Sequence, residues 1–196
     1  MSSSILVRLC GLAAMGGGVT STALGSLETL PLGYLPTSPS VERAVQKGSY
    51  EVPVLFLSLL GAMAAIAALH ALQRGRYGSR GAVAALASLV GLTTMAVGYL
   101  VGEISAVIAT GTMFLIIAML FVGLVVSTVG IVFLGATTAS AKVLPPWCGA
   151  SLIAGNPTFE LLFYLFSPWL TGLPWVLVGY GVFRAAGRTG RPSRVW

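Results

Sequence analysis

Long apolar runs separated by short polar or basic stretches make up most of this chain. They cover residues 3–25, 51–72, 81–102, 105–133, 146–166 and 168–186. A helix rises 1.5 Å per residue, so a run of about 20 residues crosses roughly 30 Å of hydrocarbon. The pattern predicts an all-α polytopic integral membrane bundle of six transmembrane helices, one integral membrane domain over residues 1–196. With six crossings both termini lie on one side.

The first run carries Arg8 near its start and small residues at Ser21 to Ser26, a layout also compatible with a cleaved signal peptide. Its length favours retention as a span. Gly17, Ser21 and Gly25 recur at every fourth position, the spacing of a small-residue helix contact. Residues 26–50 read as a long outer loop with Pro31, Pro36 and Pro39, in which Glu42, Arg43 and Lys47 suit a short amphipathic turn. Glu103 marks the expected outer turn after the third run, and Gly98 with Gly102 forms a GxxxG. The run after Glu103 is long for one crossing, with Gly111 and Gly123 as flex points, and residues 136–142 read as an inner loop. Pro145-Pro146-Trp147 opens the fifth helix, and Ser167-Pro168-Trp169 reads as the turn before the sixth. Trp147 and Trp169 are the expected interfacial anchors.

Composition supports the membrane assignment. The chain is 56% hydrophobic and 8% charged, where soluble domains carry about 25% charged residues. Mean hydropathy is +0.93. Of the 11 basic residues, all but Arg43 and Lys47 fall on one side of the six-span layout: Arg8, Arg74, Arg76, Arg80, Lys142, Arg184, Arg188, Arg191 and Arg194. Short basic loops resist translocation, so that side is expected to be cytoplasmic, with both termini inside a bacterial inner membrane and a basic tail over residues 184–196. The positive charge is explained by topology and contact with membrane lipids, and no nucleic-acid partner is expected. Cys10 and Cys148 stand on the same expected inner side, where a disulfide is disfavoured.

The costliest sequence lies in the fifth run, at Gly155-Asn156-Pro157-Thr158-Phe159-Glu160. In a continuous helix, Asn156 and Glu160 share a face. Pro157 bends that helix and frees the Ile153 carbonyl. A charge at that depth costs about 2.5 kcal/mol or more, so Glu160 needs a partner, water or a proton. In the plainer reading Asn156 joins two helices and Pro157 is a kink; in the sharper one Asn156 and Glu160 hold an ion or ligand. His70, one turn before the Arg74–Arg80 hairpin, is an interfacial histidine, with a proton relay as its alternative.

Three stretches carry a resemblance: Val143-Leu144-Pro145-Pro146-Trp147, the run from Gly172 to Arg184, and Ala68-Leu69-His70-Ala71-Leu72-Gln73-Arg74-Gly75-Arg76-Tyr77-Gly78. Together they resemble a broad set of uncharacterised small bacterial multi-pass membrane proteins. The resemblance implies no activity, cofactor or functional residue, and the Asn156-Pro157-x-x-Glu160 element lies outside it.

Walker, HExxH, CxxC and GxSxG motifs are absent from the sequence, as is aspartate. With one histidine and two distant cysteines, no metal or cofactor site is expected. The leading expectation is a non-enzymatic module, an accessory subunit or a sensor of lipid or small hydrophobic ligands, working with a protein partner or as a homo-oligomer. A proton- or cation-coupled transporter using Glu160 and Asn156 is the alternative. An intramembrane enzyme acting on a lipid or quinone is the third reading.

Overall fold

The computed structural model describes residues 3–29, 40–108, 113–159, 170 and 172–189. Six helices have bounds within these segments: α1 Ser3–Thr29, α2 Ser40–Gln73, α3 Gly78–Ile108, α4 Met113–Ala141, α5 Pro146–Ala154 and α6 Leu173–Thr189. No strand occurs among the described residues. Four stretches are long and apolar enough to cross a membrane: Ser4–Ala23, Leu55–Gln73, Gly78–Gly102 and Met113–Ala141. Their outer faces expose large apolar side chains such as Val83, Leu86, Phe114, Phe121 and Phe133, a surface suited to lipid. The chain is a helical membrane bundle.

Small residues set the seams, because lipid tails are as apolar as leucine and helices gain most by close packing. α4 is apolar around its whole circumference, yet its inward face is marked by Gly123, Ser127, Gly130, Gly135 and Thr138, with Ile131 and Leu134. A Cβ built on Gly91 of α3 would collide with the backbone of Ser127, and one on Gly130 would strike Ser88. Gly11 of α1 faces Gly179 of α6, and Gly18 of α1 faces Gly172 just before α6. There a Cβ on Gly11 would lie 2.9 Å from the Gly179 carbonyl oxygen. Gly17 contributes as its spacing suggests, lying against Gly61 of α2, while the tightest α1 contacts use Gly11 and Gly18 instead. Between the seams Ile66, Leu69, Leu92, Ile131, Leu134, Leu152, Val178 and Val182 form a buried core.

These pairings run antiparallel and bring one end of every described helix together. Thr138 near the end of α4 meets Gln73 at the end of α2, Cys148 at the start of α5 lies against Gly181 at the middle of α6, and Arg8 of α1 approaches Gly187 near the end of α6. Arg8, Arg74, Arg76, Arg80, Lys142 and Arg184 therefore share one end of the bundle.

Four boundaries differ from the sequence expectation. Residues 40–50 are the first turns of α2 rather than loop, in keeping with the helix-forming Glu42, Arg43, Ala44, Gln46 and Lys47. Glu103 lies within α3, which continues to Ile108, so it does not mark the turn. The small polar stretch 136–141 is helical in α4, and its Thr137 and Ser140 hydroxyls are satisfied by the Phe133 and Thr137 carbonyls of the same helix. Lys142 then ends the helix with φ 53°. The fifth run is broken after Ala154.

The glycine seams lead to a test. Gly11→Ala should lower thermal stability in detergent by about 1–3 kcal/mol, because the α1–α6 backbones must separate. Gly16→Ala, at a position with nothing within 4 Å, should be neutral or stabilising.

Candidate functional site

The break in the fifth run is built from its own sequence. Pro146 opens α5 at a position where its missing N–H costs nothing. After Ala154 the helix stops at Gly155, whose N–H still donates to the Ser151 carbonyl at 2.8 Å. A Cβ on Gly155 would lie 2.9 Å from the Pro174 side chain, so this turn packs directly on α6. Asn156 follows, 1% exposed. Its Nδ2 donates to the Ile153 carbonyl at 2.5 Å, and its Oδ1 accepts from the Thr158 and Phe159 N–H groups at 3.0 and 3.2 Å. One amide thus closes the end of α5 and caps the helical turn at residues 157–159. Pro157 occupies the first position of that turn.

This arrangement corrects the expected kink. Asn156-Pro157 ends one helix and begins another, rather than bending a continuous one. The Ile153 carbonyl is not left free; Asn156 itself occupies it. Both acceptor directions of the Asn156 oxygen point at backbone donors. The turn is tied to α4 by a 2.9 Å hydrogen bond between the Thr158 and Thr128 hydroxyls. Glu160 and Trp169 lie outside the described residues.

Beside the break is a groove of about 210 Å³, lined by Ser151 and Ala154 of α5, by Leu170, and by Leu173, Pro174 and Leu177 of α6. Ser151 supplies the one hydroxyl among these side chains. The volume far exceeds the roughly 30 Å³ that a water molecule occupies, and apolar walls of this kind suit hydrocarbon better than water.

A second polar group occupies the basic end. Gln73 and Thr138 are fully buried, and the Thr138 hydroxyl donates to Gln73 Oε1 at 3.2 Å. Gln73 Nε2 finds no partner among the described residues. Across the α2–α3 hairpin, His70 Nδ1 lies 2.6 Å from the Tyr77 hydroxyl. Burial pushes the Tyr77 phenol up to about 12, so it remains neutral throughout the physiological range. His70 is therefore half of a hairpin clasp.

The remaining expected residues are spread along the rim. Trp147 is 38% exposed in the first turn of α5, its ring edge against Gly181. Arg74, Arg76 and Arg80 are exposed around the hairpin, and Arg184 is exposed on α6. Arg188 lies within α6, and Arg191 and Arg194 fall outside the described residues. The groove was not anticipated from sequence. Its signal was the Leu173, Pro174, Leu177 spacing, which reads equally well as an ordinary lipid-facing stripe. No group of histidine, cysteine or acidic side chains able to hold a metal ion occurs among the described residues.

The capping role predicts that Asn156→Ala destabilises the detergent-solubilised protein by about 1–2 kcal/mol. Asn156→Asp should be destabilising too, since a carboxylate keeps the acceptor for Thr158 and Phe159 but cannot donate to Ile153. Thermal melts of both variants check this. No family model, curated protein or solved structure matches the chain.

Proposed function

We propose that the chain is a non-enzymatic module of a bacterial cell membrane that holds a lipid or a similar hydrophobic guest in the groove between α5 and α6. In this reading it crosses the membrane six times. Residues 146–166 form the fifth crossing, residues 168–186 the sixth, and the basic end and both termini face the cytoplasm. The observation that carries the reading is the pairing of an apolar groove with an Asn156 whose oxygen is committed to backbone donors. A site built for ions would hold polar atoms in reserve, and at Asn156 that reserve goes to the helix ends.

One observation favours a second reading. Broken helices are a recurrent feature of ion-coupled carriers, where the ends of the half-helices face the cargo. A proton- or cation-coupled transporter would use Glu160 near this break. An enzyme acting on a lipid or quinone would need a second reactive side chain in the groove, and its described lining offers only Ser151.

Native mass spectrometry of the full chain in detergent separates these readings. Wild type should retain a diacyl lipid through delipidation, and Ala154→Phe or Leu177→Trp, which fill the groove, should lose it. In proteoliposomes, neither a pH gradient nor a cation gradient should drive flux. Flux abolished by Glu160→Gln, or lipid retention untouched by both groove-filling variants, would overturn the proposal.

A further inference from the structure

The groove has a direction, set by the face of α6 on which it lies. Leu173, Leu177, Tyr180 and Arg184 follow at intervals of four, three and four residues, within about 60° of one another around a helix. The first three are 46%, 40% and 47% exposed, and Arg184 is exposed as well. This outward stripe starts on the groove wall and ends on a guanidinium at the basic end. From Leu173 to Arg184 the helix rises about 16 Å, close to the roughly 15 Å of hydrocarbon in one leaflet. Trp147, exposed on α5 with its ring against Gly181, stands beside Tyr180 of the stripe near its basic end, where amphipathic rings settle at headgroup level.

The sequence places no acidic side chain in the stretches of chain that share this end with Arg184. The sequence contains no acid after Glu160, none between Glu51 and Glu103 and none before Glu28. The hairpin, the end of α4 and the start of α1, which share this end of the bundle, therefore bring only positive charge. An arginine placed in this way is complementary to a phosphate, which its planar fork can take with two hydrogen bonds.

Building on the lipid-binding reading above, we infer that the α5–α6 face is a phospholipid site in the leaflet at the basic end. Arg184 pairs with the lipid phosphate between Trp147 and Tyr180, and one acyl chain lies down the stripe into the groove lined by Ala154, Leu173 and Leu177. The occupant is a membrane phospholipid, recognised by its phosphate and chain together. A lipid with the same chains but no phosphate engages only the lower half of the site.

The test compares phosphatidylglycerol with diacylglycerol of the same chains, added to the full-length protein in detergent and read by native mass spectrometry. Wild type should prefer phosphatidylglycerol by about fivefold, the size expected of one arginine near a lipid phosphate. Arg184→Gln should remove that preference and leave diacylglycerol binding unchanged. Arg80→Gln, which removes the same charge from the hairpin, should keep it. Ala154→Phe, with Leu177→Trp as a second groove-filling variant should the first misfold, should lose both lipids. A preference that survives Arg184→Gln, or that falls equally in Arg80→Gln, would overturn the phosphate assignment while leaving the groove reading intact. Diacylglycerol binding unaffected by either groove-filling variant would overturn both.

Discussion

Hydrocarbon offers a peptide backbone no hydrogen-bonding partner, and this structure is shaped by the need to pair each exposed amide and carbonyl from within. Continuous helices meet that need along most of the chain. Where α5 ends, the need becomes acute, because a helix end leaves donors and acceptors unmatched and Pro157 has no N–H to carry the ladder on. Asn156 resolves both halves with one side chain, donating backward to Ile153 and accepting forward from Thr158 and Phe159. Thr137 and Ser140 meet the same need for their own hydroxyls, which donate to carbonyls of the preceding turn.

Close packing follows from the same solvent. Without a hydrophobic force between helices, the bundle relies on contact between backbones, and glycine permits it. The α1–α6 and α3–α4 seams bring carbonyl oxygens against glycine positions at distances no other residue allows. Because the pairs are antiparallel, this packing also gathers Arg8, Arg74, Arg76, Arg80 and Arg184 at one end. Charge distribution and helix packing are thus two consequences of one topology.

Much of this was legible in the sequence, for a physical reason. The apolar runs and the arginine asymmetry are global signals, and a membrane leaves a chain little choice but to express them. Helix ends were harder to place. Residues 40–50 and 136–141 look like loops because they are polar or small, yet neither property prevents a helix: Glu42, Arg43, Ala44, Gln46 and Lys47 are good helix formers, and the Thr137 and Ser140 hydroxyls find partners within their own helix. At Asn156-Pro157, four-residue spacing suggested a shared face with Glu160. Capping depends on the local backbone path, and asparagine before proline fits an interrupted helix as well as a bent one. The groove was invisible for a different reason: Leu173, Pro174 and Leu177 acquire meaning only when Ser151 and Ala154 are placed beside them, a contact that sequence spacing does not encode.

The account rests on a bundle whose basic end lies at a single membrane surface. The most direct measurement is one-sided thiol labelling in a background with Cys10 and Cys148 replaced, using Ser79→Cys in the hairpin, Lys142→Cys after α4 and Ser193→Cys in the tail. All three should be protected from an impermeant maleimide in intact cells and labelled in inverted vesicles. Labelling of any one of them from the side opposite to the other two would contradict the topology on which the groove and its arginine depend.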